Sequence, residues 1–229
     1  MTAKTTLTAA LILGLGLLGG GISAFAQEEN DPLASLTAPW WQYANSIPTT
    51  VNPLVDSTGA DCNVGQRDPV WFLTGTFFGG TADRTCAIPE GEWLFFPVIN
   101  SVNFNTPGVC GQNGSLDVPT LRALSAAFID GATKLTVQVD GKTVKGLVRV
   151  KSEVFATTIP TDNIYNALCG GPGTVPPAIY SPSVDDGYYV LLKPLSVGNH
   201  TVHFHAEVPS QSFILDVTYD LVVVPVQLK

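Results

Sequence analysis

The segment TVHFHAEV (Thr201–Val208), the turn PSQS (Pro209–Ser212) and the segment FILDVTYDLVVV (Phe213–Val224) alternate apolar and polar residues on both sides of a four-residue turn. Side chains along a strand point alternately to opposite faces, so Phe213, Leu215, Val217, Tyr219, Leu221 and Val223 share a core face. Val202, Phe204, Ala206 and Val208 form the matching inward set. Thr201, His203, His205 and Glu207 then point outward. Pairing Val208 with Phe213 across the turn sets His205 opposite Asp216, His203 opposite Thr218 and Thr201 opposite Asp220. This hairpin makes the fold a β-sheet fold.

Outward from it, the same reading predicts a strand over Gly187–Lys193. A hairpin follows from Lys134–Val139 and Lys142–Val150 around a type I′ turn at Asp140-Gly141. Val70–Phe78 and Glu92–Ile99 read as buried strands, with Pro97 bounding the second or marking an edge or bulge. Trp71 and Trp93 are expected in the core. One helix is predicted near 118–130. Asp117 is its N-cap, Pro119 lies in its first turn, Leu121, Leu124 and Phe128 recur at helical spacing, and Gly131 is a left-handed stop. Trp40–Ile47 reads as one or two helical turns and Asp162–Leu168 as a short helix. Pro48–Pro69 and Gly170–Ser183 read as loops, with Asp185-Asp186-Gly187 a turn before a strand. The pattern predicts a mainly β fold: an antiparallel β-sandwich, jelly-roll or immunoglobulin-like, with one packed α-helix.

The chain has 229 residues, 45% hydrophobic and 13% charged, with a net charge of −8. Such an acidic chain is repelled by phosphate backbones, so no nucleic-acid partner is expected. Lys4, the apolar run Leu7–Leu18 and Ala24-Phe25-Ala26 have the order of a secretory signal peptide over residues 1–26. The expected organisation is this leader, a flexible segment over 27–38 and one domain over 39–229. That chain would not span a membrane and would be secreted, into the periplasm, the cell surface or the medium. Export places Cys62, Cys86, Cys110 and Cys169 in an oxidising compartment, where four cysteines read as two disulfides with three possible pairings. Cys62–Cys86 and Cys110–Cys169 are preferred, because the latter two both sit in Gly-rich loops.

Three groups are candidate sites. His203, His205 and Asp216 lie on the outward face of the C-terminal hairpin, with Glu207 beside them. Imidazoles at i and i+2 project side by side and suit zinc or copper, against a plainer role as a solvated strand face with His–Asp cross-strand pairs. No histidine follows His205, so the ligand sets of copper–zinc superoxide dismutases and cupins are incomplete. Asp56-x-Thr58-Gly59-x-Asp61, with Asp68 nearby, offers hard oxygen ligands for calcium, against a plainer role in capping loop amides. Trp40, Trp41 and Tyr43 form an aromatic cluster suited to stacking on sugar rings or to a protein interface, against the plainer role of covering one open end of the sandwich. There is no G-x-S-x-G elbow, no free cysteine beside a histidine and no phosphate-binding glycine loop, so no catalytic residue is assigned.

Several further stretches form one pattern: Asn52-Pro53-x-x-Asp56-x-x-Gly59-x-x-Cys62, Gln66, Val70-Trp71-Phe72-Leu73, Arg84-x-Cys86-x-Ile88-Pro89-x-Gly91 and Leu94–Asn100. Gly198-x-His200-Thr201-Val202-His203-Phe204 and Leu215–Tyr219 continue it. This pattern resembles a group of secreted bacterial β-rich proteins to which no activity is attached. The resemblance implies export and a β-rich fold and assigns no role to any residue. The function expected from the sequence is non-catalytic binding of a glycan or protein partner at the surface or envelope. The alternatives are a metal-dependent enzyme built on His203, His205 and Asp216, and a structural protein assembling through sheet edges.

Overall fold

The computed structural model describes residues 32–226. The expected signal peptide over residues 1–26 lies outside them, as does the start of the predicted flexible segment. The fold is mainly β: two five-stranded sheets packed face to face, with two helices. One sheet runs β1 (Val70–Phe72), β3 (Trp93–Phe104), β8 (Ala178–Leu192), β6 (Val148–Lys151), with β7 (Phe155–Ile159) also on β8. The other runs β2 (Gly80–Pro89), β10 (Phe213–Val224), β9 (Gly198–Val208), β4 (Thr133–Val139), β5 (Lys142–Thr143).

The C-terminal hairpin has the register its alternation dictates, with Val208 opposite Phe213, His205 opposite Asp216, His203 opposite Thr218 and Thr201 opposite Asp220. Its inward residues pack with Leu94, Phe96 and Val98 of the facing sheet to form the main core. The sandwich is not wholly antiparallel, because β1 pairs with β3 and β2 with β10 in parallel. The Asp140-Gly141 turn has both residues at positive φ, as a type I′ turn requires. The returning segment then pairs over two residues only, and Val148–Lys151 crosses to the other sheet.

Helix α2 (Val118–Ile129) starts at its N-cap Asp117, whose side chain accepts from the Thr120 amide. It buries Leu121, Ser125 and Ile129, while Leu124 is exposed. The helix ends in right-handed backbone at Asp130, and Gly131 is not left-handed. A second helix, α1 (Pro32–Ser46), is longer than the predicted two turns and takes up residues 32–38 of the segment expected to be flexible. Pro39 inside it removes one amide donor, the one that would reach the Ser35 carbonyl. Ser35 is exposed, so water can satisfy that carbonyl. Helix α1 covers the outer face of the first sheet and makes a second core with Phe95, Val150, Phe155 and Tyr189.

Both preferred disulfides form, Cys62–Cys86 and Cys110–Cys169. They suit an oxidising, extracellular-type compartment. Among the described residues no helix is long and apolar enough to cross a membrane.

Two details of β3 and β8 shape the site. The β3–β8 register shifts between Pro97 and Ile99, so Pro97 does mark a bulge. Just beyond it, Gly187 faces Asn100 so closely that a Cβ there would stand 2.6 Å from Asn100 Cβ and 2.7 Å from the Ile99 carbonyl oxygen. Gly187→Ala is therefore expected to cost roughly 1–3 kcal/mol by overpacking, read as a lower denaturant midpoint with an unchanged slope.

Candidate functional site

The sequence candidates behave differently in three dimensions. Trp40, Trp41 and Tyr43 are not an exposed platform; they are 0%, 4% and 8% exposed. Helix α1 lays them on the first sheet, where burying three rings outweighs leaving them in water. The Trp40 indole donates to the Leu73 carbonyl at 3.0 Å, and the Trp41 indole to Asp185 Oδ1 at 2.7 Å. Trp71 is buried as expected, but Trp93 opens strand β3 at 36% exposure.

His203, His205 and Asp216 do come together, as a hydrogen-bonded ladder. His203 Nε2 lies 2.6 Å from Asp216 Oδ1, and His205 Nδ1 3.5 Å from Asp216 Oδ2. His205 Nε2 lies 3.2 Å from Glu207, which also holds Lys134 at 3.1 Å. The imidazole nitrogens and carboxylates are turned onto one another rather than onto a common centre. Among the described residues no group of three or more His, Cys, Asp or Glu side chains is placed to hold a metal ion. In the calcium candidate, Asp56 accepts from the Thr58 and Asp61 amides and the Thr58 hydroxyl, which is the loop-capping role. These bonds hold the Asp56 carboxyl below its usual range despite partial burial.

A cleft that no single motif announces opens beside β3. Strand β1 pairs with β3 only at Trp93–Phe95. Beyond Leu73 the chain leaves that edge, because Arg84 draws it toward the second sheet. The buried guanidinium donates to the Thr74 and Gly75 carbonyls, to the Asp56 carbonyl at 2.8 Å and to the Tyr219 hydroxyl at 2.7 Å. It also stands 5.2 Å from the centre of the Tyr219 ring. The gap so left beside β3 is a cavity of about 340 Å³ along Pro97–Val102.

Its walls come from both cores. On the α1 side stand Trp41 and the edge-to-face pair Phe77–Tyr165, with ring centres 5.3 Å apart. On the sandwich side stand Leu215 and the pair Phe128–Phe213, 5.5 Å apart. Leu168, 59% exposed, stands on the rim. Among the described residues no charged side chain lines the cleft. Its polar groups are few, chiefly Asn100, Ser101 and Thr76, and Thr76 Oγ1 is buried without a hydrogen-bond partner among the described residues. Apolar walls with a few placed polar groups are the usual make-up of a small binding site.

Behind the cleft lies a buried polar chain. Asn100 donates to the Tyr189 hydroxyl at 3.0 Å, which donates to Asp185 Oδ2 at 2.8 Å. Burial pushes the Asp185 carboxyl up to about 8, against the lowering effect of the Trp41 and Tyr189 hydrogen bonds. Asp186, in contrast, points to the other face and pairs with Arg149 at 2.8 Å. Both acids sit inside strand β8 rather than in the turn expected of Asp185-Asp186-Gly187.

The chain matches no protein-family model, and no curated protein or solved structure is similar to it. The geometry alone therefore carries the functional reading.

Proposed function

We propose that this chain is an exported, non-catalytic binding protein that receives an uncharged, largely apolar part of its partner in the cleft beside β3. The observation that carries the reading is a cavity of about 340 Å³ walled by Trp41, Phe77, Tyr165, Phe128, Phe213 and Leu215 beside an edge of β3 that β1 does not cover. The lining favours a protein partner over a glycan, since a sugar needs many more hydrogen-bonding groups than Asn100, Ser101 and Thr76 provide. Nothing in the ladder of His203, His205 and Asp216 favours the alternative of a metal-dependent enzyme. Export rests on the leader sequence and on two disulfides suited to an oxidising compartment.

Titration with the uncharged dye Nile red tests the reading. The wild-type chain is expected to give saturable fluorescence at micromolar dye. Leu168→Glu, on the exposed rim, is expected to keep the fold and weaken dye binding at least tenfold. An unchanged titration in that variant would sink the assignment to this cleft.

A further inference from the structure

Strand β3 has twelve residues, and among the described residues only three of them have a strand partner on the β1 side. Which backbone groups face the empty side follows from the register. The Leu73 amide donates to the Phe95 carbonyl, so before the bulge the odd-numbered residues face β1. The register shift between Pro97 and Ile99 reverses that parity. After it, the Asn105 amide donates to the Pro182 carbonyl of β8, so the odd-numbered Ser101 and Asn103 face β8. Antiparallel pairing alternates the two directions, so Asn100 and Val102 turn their amides and carbonyls toward the cleft. No backbone or side-chain hydrogen bond reaches these groups from that side among the described residues. Strand β8 differs, since β6 and β7 together pair with most of its far edge.

The cleft therefore offers more than apolar walls. It offers the backbone donors and acceptors of Asn100 and Val102, about 7 Å apart at the usual rise per residue. These groups continue the line already occupied by β1. A ligand that satisfies both features must be apolar on its flanks and carry amides and carbonyls at alternating positions. That is the chemistry of a polypeptide in extended form, and strand addition to an exposed edge is a known way to bind one.

We propose that the partner is an extended peptide segment, apolar and uncharged at the docked residues, that adds as a strand to the free edge of β3. Its backbone would pair with Asn100 and Val102. Its side chains would alternate between the Trp41, Phe77 and Tyr165 wall and the Phe128, Phe213 and Leu215 wall. Walls on both sides admit one strand and leave no room for a whole sheet edge, which favours a peptide over a second copy of this chain. The inference rests on the cleft reading above and names the class of partner.

The test uses the full disulfide-bonded chain. A random heptapeptide phage library is selected against it, and the best peptide is synthesised and scanned by N-methylation. The expected result is displacement of Nile red and loss of affinity in Leu168→Glu. Methylation at alternate peptide residues should weaken binding at least tenfold, with intervening positions affected little. Amide exchange at Asn100 and Val102 should slow on binding. Three outcomes would overturn the proposal. One is a selected peptide that tolerates methylation everywhere. Another is Nile red binding with no peptide that competes, which leaves the cleft reading standing while strand addition fails. The third is concentration-dependent dimerisation that protects Asn100 and Val102 without peptide, which assigns the edge to a second copy. Failure of Nile red to bind would remove the cleft reading itself.

Discussion

Arg84→Met is expected to destabilise the protein by about 4 kcal/mol. Arg84 sits on the inward face of β2, 2% exposed, with no carboxylate within ion-pair distance among the described residues. Its charge is held instead by the carbonyls of Asp56, Thr74 and Gly75, the Tyr219 hydroxyl and the Tyr219 ring. Methionine fills a similar volume but donates nothing. The Thr74 carbonyl would keep the Tyr219 hydroxyl as a donor at 3.0 Å, so the Asp56 and Gly75 carbonyls are the ones orphaned. Each buried orphan costs about 1–3 kcal/mol, and the charge-assisted bonds to Arg84 are lost as well. For a domain of this size the melting temperature should fall by roughly 10–15 °C. Arg84→Lys should fall between the two, because an ammonium keeps the charge but cannot span three carbonyls with a fork. A methionine variant as stable as the wild type would mean that dehydrating the guanidinium costs as much as its bonds return.

Arg84 also explains what was hidden in the sequence. Ala82, Cys86 and Ile88 alternate inward on β2 as cleanly as the residues of the C-terminal hairpin. A cation at the central inward position breaks the apolar pattern, and the strand is not recognisable by periodicity. The hairpin itself was fully legible, because every inward position from Val202 to Val208 and from Leu215 to Val223 is apolar and the turn is short enough to fix the register. The helix cap at Asp117 and the disulfide pairing were legible for equally local reasons. Helix α1 reads short in the sequence because Pro39 resembles a first helical residue. The cleft had no sequence signal at all. It exists where a strand partner stops, and the stop is set by bonds between Arg84 and residues about ten positions earlier. Asn100, Thr76 and Tyr189 are unremarkable residues in sequence. They acquire roles only when the bulge at Pro97 and the departure of the chain after Leu73 bring them to one gap.

The second large effect is on the pH dependence of stability, through Asp185. Its side chain is fully buried between Trp41 and Tyr189, and burial holds its carboxyl protonated up to about 8. In the unfolded chain an aspartate loses its proton near pH 4. Between those values the folded state carries one proton more than the unfolded state, so stability falls as pH rises. The contribution is full below about pH 4, declines by up to about 1.4 kcal/mol per pH unit, and is exhausted above about pH 8. Across the window the total is on the order of 5 kcal/mol. Asp185→Asn keeps the site neutral at every pH: its carbonyl oxygen accepts from the Trp41 indole, and its amide donates to the Tyr189 hydroxyl, which reverses the direction of the bond that Tyr189 makes to Asp185. The variant should lie close to wild type at pH 5 and be several kcal/mol more stable at pH 8. His200 gives a smaller slope of the same sign. Asp140, 2.8 Å away, raises its pKa, so its contribution is present below the ordinary histidine value and lost as pH rises through the raised one. His200→Gln in the Asp185→Asn background removes that remainder. The lowered carboxyls of Asp56 and Asp140 act in the opposite direction, lending stability that is lost only as pH falls through their own depressed range. Urea midpoints at pH 5, 6.5 and 8 separate these contributions. Equal slopes in wild type and Asp185→Asn would show that Asp185 is ionised in the folded protein, with the Trp41 and Tyr189 hydrogen bonds outweighing its burial.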